Sequence, residues 1–354
     1  MSLLKETIQK IYPQDSEYRD KAKERLDQLA MPPWALGDLM DLSMDLAGIC
    51  RSITPAVARK AIVTMAGDHG VVAEGVSKFP QEVTPQMVYN FVHGGAGINA
   101  LAKQAGAEVI VVDMGVAADL TDLAKAGKII DKKIGLGTNN ITKGPAMSMA
   151  NATKAVEAGI EIANDLGKNI DVFGTGDMGI GNTTPSTAIA AIITGKSVEE
   201  LTGRGTGLDD EQLDHKRQVV SDILLRNLPD PKNGLDILAT VGGFEIGGIA
   251  GLILGAAAQK KPVVVDGFIS SAAALIAITI EPFARDYIVC AHRSMEPGHR
   301  AMQEKLGCRP LLDLNLRLGE GTGAALAMNL VEAAVAILTE VATFEEAAVA
   351  GADK

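Results

Sequence analysis

The stretch Arg317-Leu318-Gly319-Glu320-Gly321-Thr322-Gly323 sets one carboxylate between glycines, directly ahead of the apolar run Ala324-Ala325-Leu326-Ala327. Such a side chain is poorly situated for ordinary surface solvation, and two roles fit it. Glu320 can cap a helix N-terminus, where negative charge is favourable, or act as a general base with a pKa set by partial burial. A second stretch, Phe173-Gly174-Thr175-Gly176-Asp177-Met178-Gly179-Ile180-Gly181-Asn182-Thr183-Thr184, follows a short apolar run. Its glycines at 174, 176 and 179 spell the dinucleotide fingerprint. That turn, however, needs a helix starting inside the fingerprint and an acidic residue about 20 positions on, after a second strand. Here Gly179-Ile180-Gly181 delays the helix, and Glu199 and Glu200 follow a helix instead. The phosphate-loop pattern fails too, because Gly195-Lys196-Ser197 would require glycine where Ala190 stands. What remains is a long glycine turn feeding a helix N-terminus, whose N–H groups and dipole suit a phosphate monoester. Tight packing alone would also call for such a turn.

The third constellation, Ala291-His292-Arg293-Ser294-Met295-Glu296-Pro297-Gly298-His299-Arg300, is densely basic for this chain and reads as either an anion site or a solvated helix start. Metal ligation is not expected: the five histidines form no His-Glu-x-x-His pattern. No Gly-x-Ser-x-Gly elbow marks a serine hydrolase.

The elements that would position these residues alternate. Strand-like runs at residues 60–65, 109–112, 170–173 and 262–265 are apolar and β-branched, as strands buried on both faces should be. Helical patterns lie between them, including residues 86–104 and 186–193 with Thr84-Pro85 and Thr184-Pro185 as starts, and a charged amphipathic helix over 209–226. The pattern predicts an α/β fold, a Rossmann-like, mostly parallel sheet flanked by helices, with ligands at the carboxyl ends of the strands. Residues 55–320 read as the large α/β catalytic domain. Helical patterns at 3–11, 16–29, 36–49 and 323–350 make residues 1–54 with 321–354 a small helical lobe built from both chain ends.

The net charge of −11 and pI near 5.0 oppose a nucleic-acid surface, which needs a basic face. Three scattered cysteines suggest neither a thiolate metal site nor a disulfide framework, so a reducing cytoplasm fits. The N-terminus lacks the order of a signal peptide. No apolar run is expected to span a membrane, and residues 246–258 carry four glycines.

Six motifs in order, five of them glycine-bearing, over nearly the whole chain, resemble the nicotinate-nucleotide:dimethylbenzimidazole phosphoribosyltransferases, which make the lower-ligand nucleotide of cobalamin. They are Gly67-Asp68-His69-Gly70, Phe79-Pro80-Gln81-Glu82-Val83-Thr84, Gly176 to Thr184, Val241-Gly242-Gly243-Phe244-Glu245, Val265-Asp266-Gly267-Phe268, and Arg317 to Gly323. The resemblance implies that a benzimidazole nitrogen attacks C1′ of nicotinate mononucleotide and nicotinate leaves, giving α-ribazole 5′-phosphate. Glu320 matches the family's catalytic glutamate. The nucleotide would be held by Asp177, Met178, Gly179, Ile180, Gly181, Asn182, Thr183, Lys216, Ser294, Arg317 and Gly319. The benzimidazole slot would comprise Phe79, Gln86, Met87 and Leu318.

Two departures stand out. Phe79 and Met87 replace a serine and a glutamine that the family often carries, and Asp177 replaces a glutamate. The resemblance further implies a homodimer that needs no metal; no cofactor is expected, and the composition speaks for a cytoplasmic protein that binds neither nucleic acid nor membrane. Other readings are the same chemistry on another acceptor such as adenine or a phenol, a non-catalytic nucleotide sensor, and an NAD-dependent oxidoreductase.

Overall fold

The computed structural model describes residues 2–350 apart from residue 206. Six parallel strands form one sheet: β1 (Lys60–Gly67), β2 (Ala107–Gly115), β3 (Ile130–Asp131), β4 (Val172–Met178), β5 (Val263–Val265) and β6 (Ile288–Cys290). Their order is β3-β2-β1-β4-β5-β6. The chain runs outward from β1 through β2 to β3, then returns to lay β4 on the other side of β1. Loops leaving β1 and β4 therefore diverge, and a crevice opens at their carboxyl ends, where ligands of doubly wound sheets bind.

Side chains alternate across the sheet with the two-residue strand period. Ala61, Val63, Met65, Phe173, Val263 and Val265 face one apolar cluster, which holds the helices Met149–Leu166, Phe244–Ala258 and Phe268–Ile280. Ile62, Ala66, Val172, Val264 and Val289 face the other, filled by Val88, Ile98, Ala324, Ala327 and Met328. The expected strands at 60–65, 109–112, 170–173 and 262–265 all lie in or overlap β1, β2, β4 and β5. Strands β3 and β6, only two and three residues long, have no counterpart among the expected runs.

Several expectations need correction. The single helix expected over 86–104 is two, Val83–His93 and Gly97–Ala105, because Gly94 takes a left-handed φ of 78° that ends the first. Thr84 is thus inside a helix, and its hydroxyl accepts from Ile180 N at 3.1 Å. The helix expected at 186 begins earlier and spans Thr183–Thr194. The terminal helices are shorter than their patterns: Leu3–Ile8, Ser16–Leu26, Asp38–Cys50 and Thr322–Glu340. Ala22, Leu26, Met40, Ala47, Ile337 and Leu338 share one small apolar cluster between them. Thr322–Glu340 is also long and apolar enough to cross a membrane by length and composition, contrary to expectation, yet it is mostly buried against the sheet.

Cys290 and Cys308, expected to be unpaired, are joined as a disulfide with Cα atoms 6.0 Å apart. Nothing in their spacing announced it. The short strand β6 and the turn after the helix Pro297–Leu306 bring them together.

Candidate active site

A cavity of about 500 Å³ lies at the carboxyl ends of β1, β4 and β5. Of the residues singled out in sequence, Asp177 to Thr183, Ser294, Arg317, Gly319, Glu320, Phe79, Met87 and Leu318 line it. Gln86 does not: it is exposed one position away from Met87 on the outer face of its helix. Lys216 stands behind the wall and reaches the cavity through Thr183.

The Glu320 loop is held by backbone geometry. Gly319, Glu320 and Gly321 have φ of 82°, 64° and 97°, three left-handed residues in succession. Glycine adopts this freely but glutamate does so at a cost, so the surroundings must hold it there. They do: the Thr64 hydroxyl donates to the Glu320 carbonyl at 3.0 Å, and Asp266 accepts from Gly321 N and Ala324 N at 3.1 and 3.0 Å.

Two of the fingerprint glycines find their explanation here. Gly174 and Gly176 sit inside β4, not in a turn, and a Cβ on Gly176 would collide with the Glu320 carbonyl. Gly176 makes room for the Glu320 loop and Gly174 for Ile62 and Met328 rather than for a pyrophosphate, which removes the dinucleotide reading of this motif.

The Glu320 carboxylate is buried and accepts from Ile98 N at 3.2 Å, in the first turn of the helix Gly97–Ala105. It therefore meets the N-terminus of a neighbouring helix, while its own helix is capped by Asp266. Burial raises its pKa above the usual glutamate value, Ile98 N opposes this, and Asp266 adds to it. Asp177 is raised well above the ordinary aspartate value, first by burial and then by Asp266 and Glu245; Asn182 Nδ2, 3.0 Å from its Oδ2, opposes. Asp177 and Glu320 thus bring two acid groups to one end of the cavity, with Asp266 buried behind them.

The other end carries a buried lysine and a helix N-terminus, groups whose charge and dipole suit an anion. Lys216 is buried, and its Nζ donates to Thr183 Oγ1 at 2.7 Å, at the start of the helix Thr183–Thr194. Burial lowers its pKa to about 8, with Glu296 opposing. Ser294 N donates to His299 Nδ1 at 2.8 Å, and His299 Nε2 lies 2.9 Å from Ser271 Oγ. His299, its pKa lowered to about 3 by burial and by His292, is a neutral imidazole that fixes the Ser294 backbone.

Sequence reasoning missed Glu296, which lines the cavity and accepts from Gly205 N at 3.1 Å. It missed His292 and Phe268 as well. For Glu296 and His292 the signal lay in the Ala291 to Arg300 stretch, where the arginines are the more conspicuous residues. Arg293 and Arg300 in fact point to solvent and pair with Asp313 and Glu304, both at 3.0 Å.

A doubly wound sheet whose switch-point cavity presents donors at one end and acid groups at the other is the architecture of an α/β enzyme suited to a phosphorylated small molecule. A family model described as phosphoribosyltransferase matches residues 11–349. Among relatives named nicotinate-nucleotide–dimethylbenzimidazole phosphoribosyltransferase, one from Desulfotalea psychrophila is 65% identical over all of both chains. Another, from Syntrophotalea carbinolica, is 58% identical over 99% of each. A crystal structure of the enzyme of that name from Thermus thermophilus superposes with a TM-score of 0.90 at 44% identity, covering 96% of this chain and 100% of the other. The chain belongs to the nicotinate-nucleotide–dimethylbenzimidazole phosphoribosyltransferase family.

Proposed function

We propose that the protein transfers the phosphoribosyl group of nicotinate mononucleotide to 5,6-dimethylbenzimidazole or a related base, releasing nicotinate and α-ribazole 5′-phosphate for the nucleotide loop of cobalamin. The observation that carries this is the polarity of the cavity. Lys216, Thr183 and the helix N-terminus offer a seat for a dianionic phosphate, and Asp177 and Glu320 face the other end, suited to a cationic pyridinium ring.

The ring nitrogen of the acceptor attacks C1′ from the face opposite nicotinate. The C1′–N bond to the pyridinium breaks, and its electron pair leaves with nicotinate. Positive charge that develops on the ribose is met by the carboxylates. Glu320 takes the proton from the second ring nitrogen of the acceptor, which leaves the product azole neutral. Its raised pKa strengthens it as a base, and it must be ionised to act.

A second reading, the same transfer to another flat acceptor, draws on Phe79 and Met87, which line the mouth with apolar surface. The homodimer, a cytoplasmic location that no longer draws on the cysteines now that Cys290 and Cys308 are paired, and the small lobe of residues 1–54 with 321–354 also belong to the proposal; the apolar cluster shared by the terminal helices supports the lobe. Incubation of the purified protein with nicotinate mononucleotide and dimethylbenzimidazole, read by product mass, tests the reading. Release of nicotinate with α-ribazole phosphate is expected; a nucleotide that stays intact would sink it.

A further inference from the structure

Two of the sequence motifs, Gly67-Asp68-His69-Gly70 and Val241-Gly242-Gly243-Phe244-Glu245, have no part in the chemistry described so far. The fold brings them together beneath the site. His69 Nε2 lies 2.7 Å from Glu245 Oε1, and both side chains are fully buried. Glu245 stands in the first turn of the apolar helix Phe244–Ala258. His69 follows the end of β1, whose Met65 is paired with Asp177 and whose Ala66 is paired with Met178.

Three glycines from three motifs clear the space around this pair. A Cβ on Gly243 would stand 2.5 Å from His69 Cε1 and 2.6 Å from Glu245 Oε2. One on Gly67 would be 2.8 Å from Glu245 Oε2, and one on Gly179 only 3.3 Å from His69 Nε2. Gly179 is two residues past Asp177 and belongs to the cavity wall, so the imidazole is packed against the underside of that wall. Glu245 Oε2 and Asp177 Oδ1 are buried without hydrogen-bond partners. A buried carboxylate left so incompletely paired is costly unless its charge is balanced nearby.

We propose that His69, through its bond to Glu245, is a positioning residue of the site: a buried imidazolium whose charge balances Glu245 and thereby governs when the Asp177 carboxyl beside the reacting ribose is ionised. This rests on the reading of the cavity as a phosphoribosyl-transfer site. The groups that face Asp177 are Asp266 after β5, Glu245 on its helix, Glu320 in its loop and Asn182 on its own turn; those that face His69 are Glu245 and Asp68. Burial alone would lower the His69 pKa, but Glu245 and Asp68 raise it overall, which favours the imidazolium. With His69 charged, the pair is neutral as seen from Asp177. Without that charge, Glu245 presents a bare carboxylate to it.

The test reads Asp177 directly in the ligand-free full-length protein, from the infrared band of its protonated carboxyl, assigned by its loss in Asp177→Asn. His69→Gln keeps a donor for Glu245 but removes the charge, and should move the ionisation midpoint of Asp177 upward by about one pH unit. Glu245→Gln should move it downward. The double variant His69→Gln/Glu245→Gln restores neutrality and should return it close to wild type, with a thermal melt confirming the fold. In turnover assays the acid limb of the pH profile should follow the same order. A midpoint unmoved in all three variants, or shifted in the same direction by both single changes, overturns the proposal and leaves the pair a packing element. A wild-type protein that fails to release nicotinate defeats the proposed reaction, while the infrared titration still decides this proposal.

Discussion

The two ends of the cavity are made differently. The anion seat consists of buried and half-buried groups, each fixed by a specific polar contact: Lys216 on Thr183, Ser294 N on His299, Glu296 on Gly205 N. The acceptor mouth is made of side chains held by little: Phe79 is 50% exposed and Leu318 60%, and the contact that Met87 receives from Asn90 Nδ2 is a weak one to sulfur at 4.0 Å. A site that leaves polar groups unpaired when the wrong ligand binds discriminates strongly, whereas an apolar, deformable one discriminates by shape and weakly. The protein is thus expected to be strict about its nucleotide and lenient about its base.

Glu320 is the base of the proposed transfer, and its loss should have the largest effect. Glu320→Gln should keep the fold and both substrate affinities and lower kcat by roughly 10²-fold or more, the usual contribution of a positioned base. Pre-steady-state and steady-state rates with saturating substrates check it. Wild-type turnover must also fall as pH drops through the Glu320 pKa, on a limb displaced above the ordinary glutamate range because burial raises it.

Lys216→Ala should break the strict end alone. A charge-assisted contact to phosphate is worth about 1.5–3 kcal/mol, so KM for nicotinate mononucleotide should rise roughly 10- to 100-fold with KM for the acceptor unchanged. Equal effects on both substrates would erase the contrast. The pH dependence sharpens it: with a pKa of about 8, the free lysine loses its proton above that value, so nucleotide affinity should fall as pH rises past 8. The sign is reversed for the stability of the empty protein. Burying the cation costs stability below pH 8, and that cost is relieved between pH 8 and the ordinary lysine value of 10.5, where the unfolded chain holds the proton that the fold has released.

At the lenient end the effects are smaller. Dimethylbenzimidazole, benzimidazole and a methoxy-substituted ring should all react, with specificity constants spread over about 10- to 200-fold. Adenine, polar at its edge, should lose a direct competition read by product mass. Its victory would place polar groups in the slot and dissolve the comparison. Smallest of all, Asp177→Asn should stabilise the empty fold at pH 7 by about 1 kcal/mol, since it removes a buried carboxyl crowded by Asp266, Glu245 and Glu320 and keeps an oxygen for Asn182. Calorimetry reads this as a higher Tm alongside reduced turnover.

The sequence revealed the central strands because β1, β2, β4 and β5 carry apolar runs buried on both faces. It could not reveal β3 and β6, whose two and three residues leave no period to read. The helix starts at Thr84 and Thr184 were misplaced for one reason: both threonines precede proline and so imitate a cap. In the fold Glu82 and Asn182 are the caps, and the Thr84 hydroxyl serves the Ile180 backbone across the cleft.

Much of the candidate site was nameable in advance, because it lies on contiguous glycine motifs. Glu296, His292 and the Cys290–Cys308 link were not, since each acquires meaning from a neighbour distant in sequence. Gln86 fails by a single step of helical rotation, which carries it to the outside while Met87 faces in.

The helices Met149–Leu166 and Phe244–Ala258 meet backbone to backbone: a Cβ on Gly159 would collide with the Gly248 carbonyl, and one on Gly251 with that of Val156. Two rods in such contact have no side-chain layer to slide on, so they move as one beam behind the sheet. The segment from Gly243 to Glu245, which packs on His69 beneath the Gly179 wall of the cavity, is clamped to that beam. Any narrowing of the cavity around its substrates must therefore come from the opposite jaw, where Phe79, Met87 and Leu318 stand, and the enzyme works as a fixed anvil against a yielding cover.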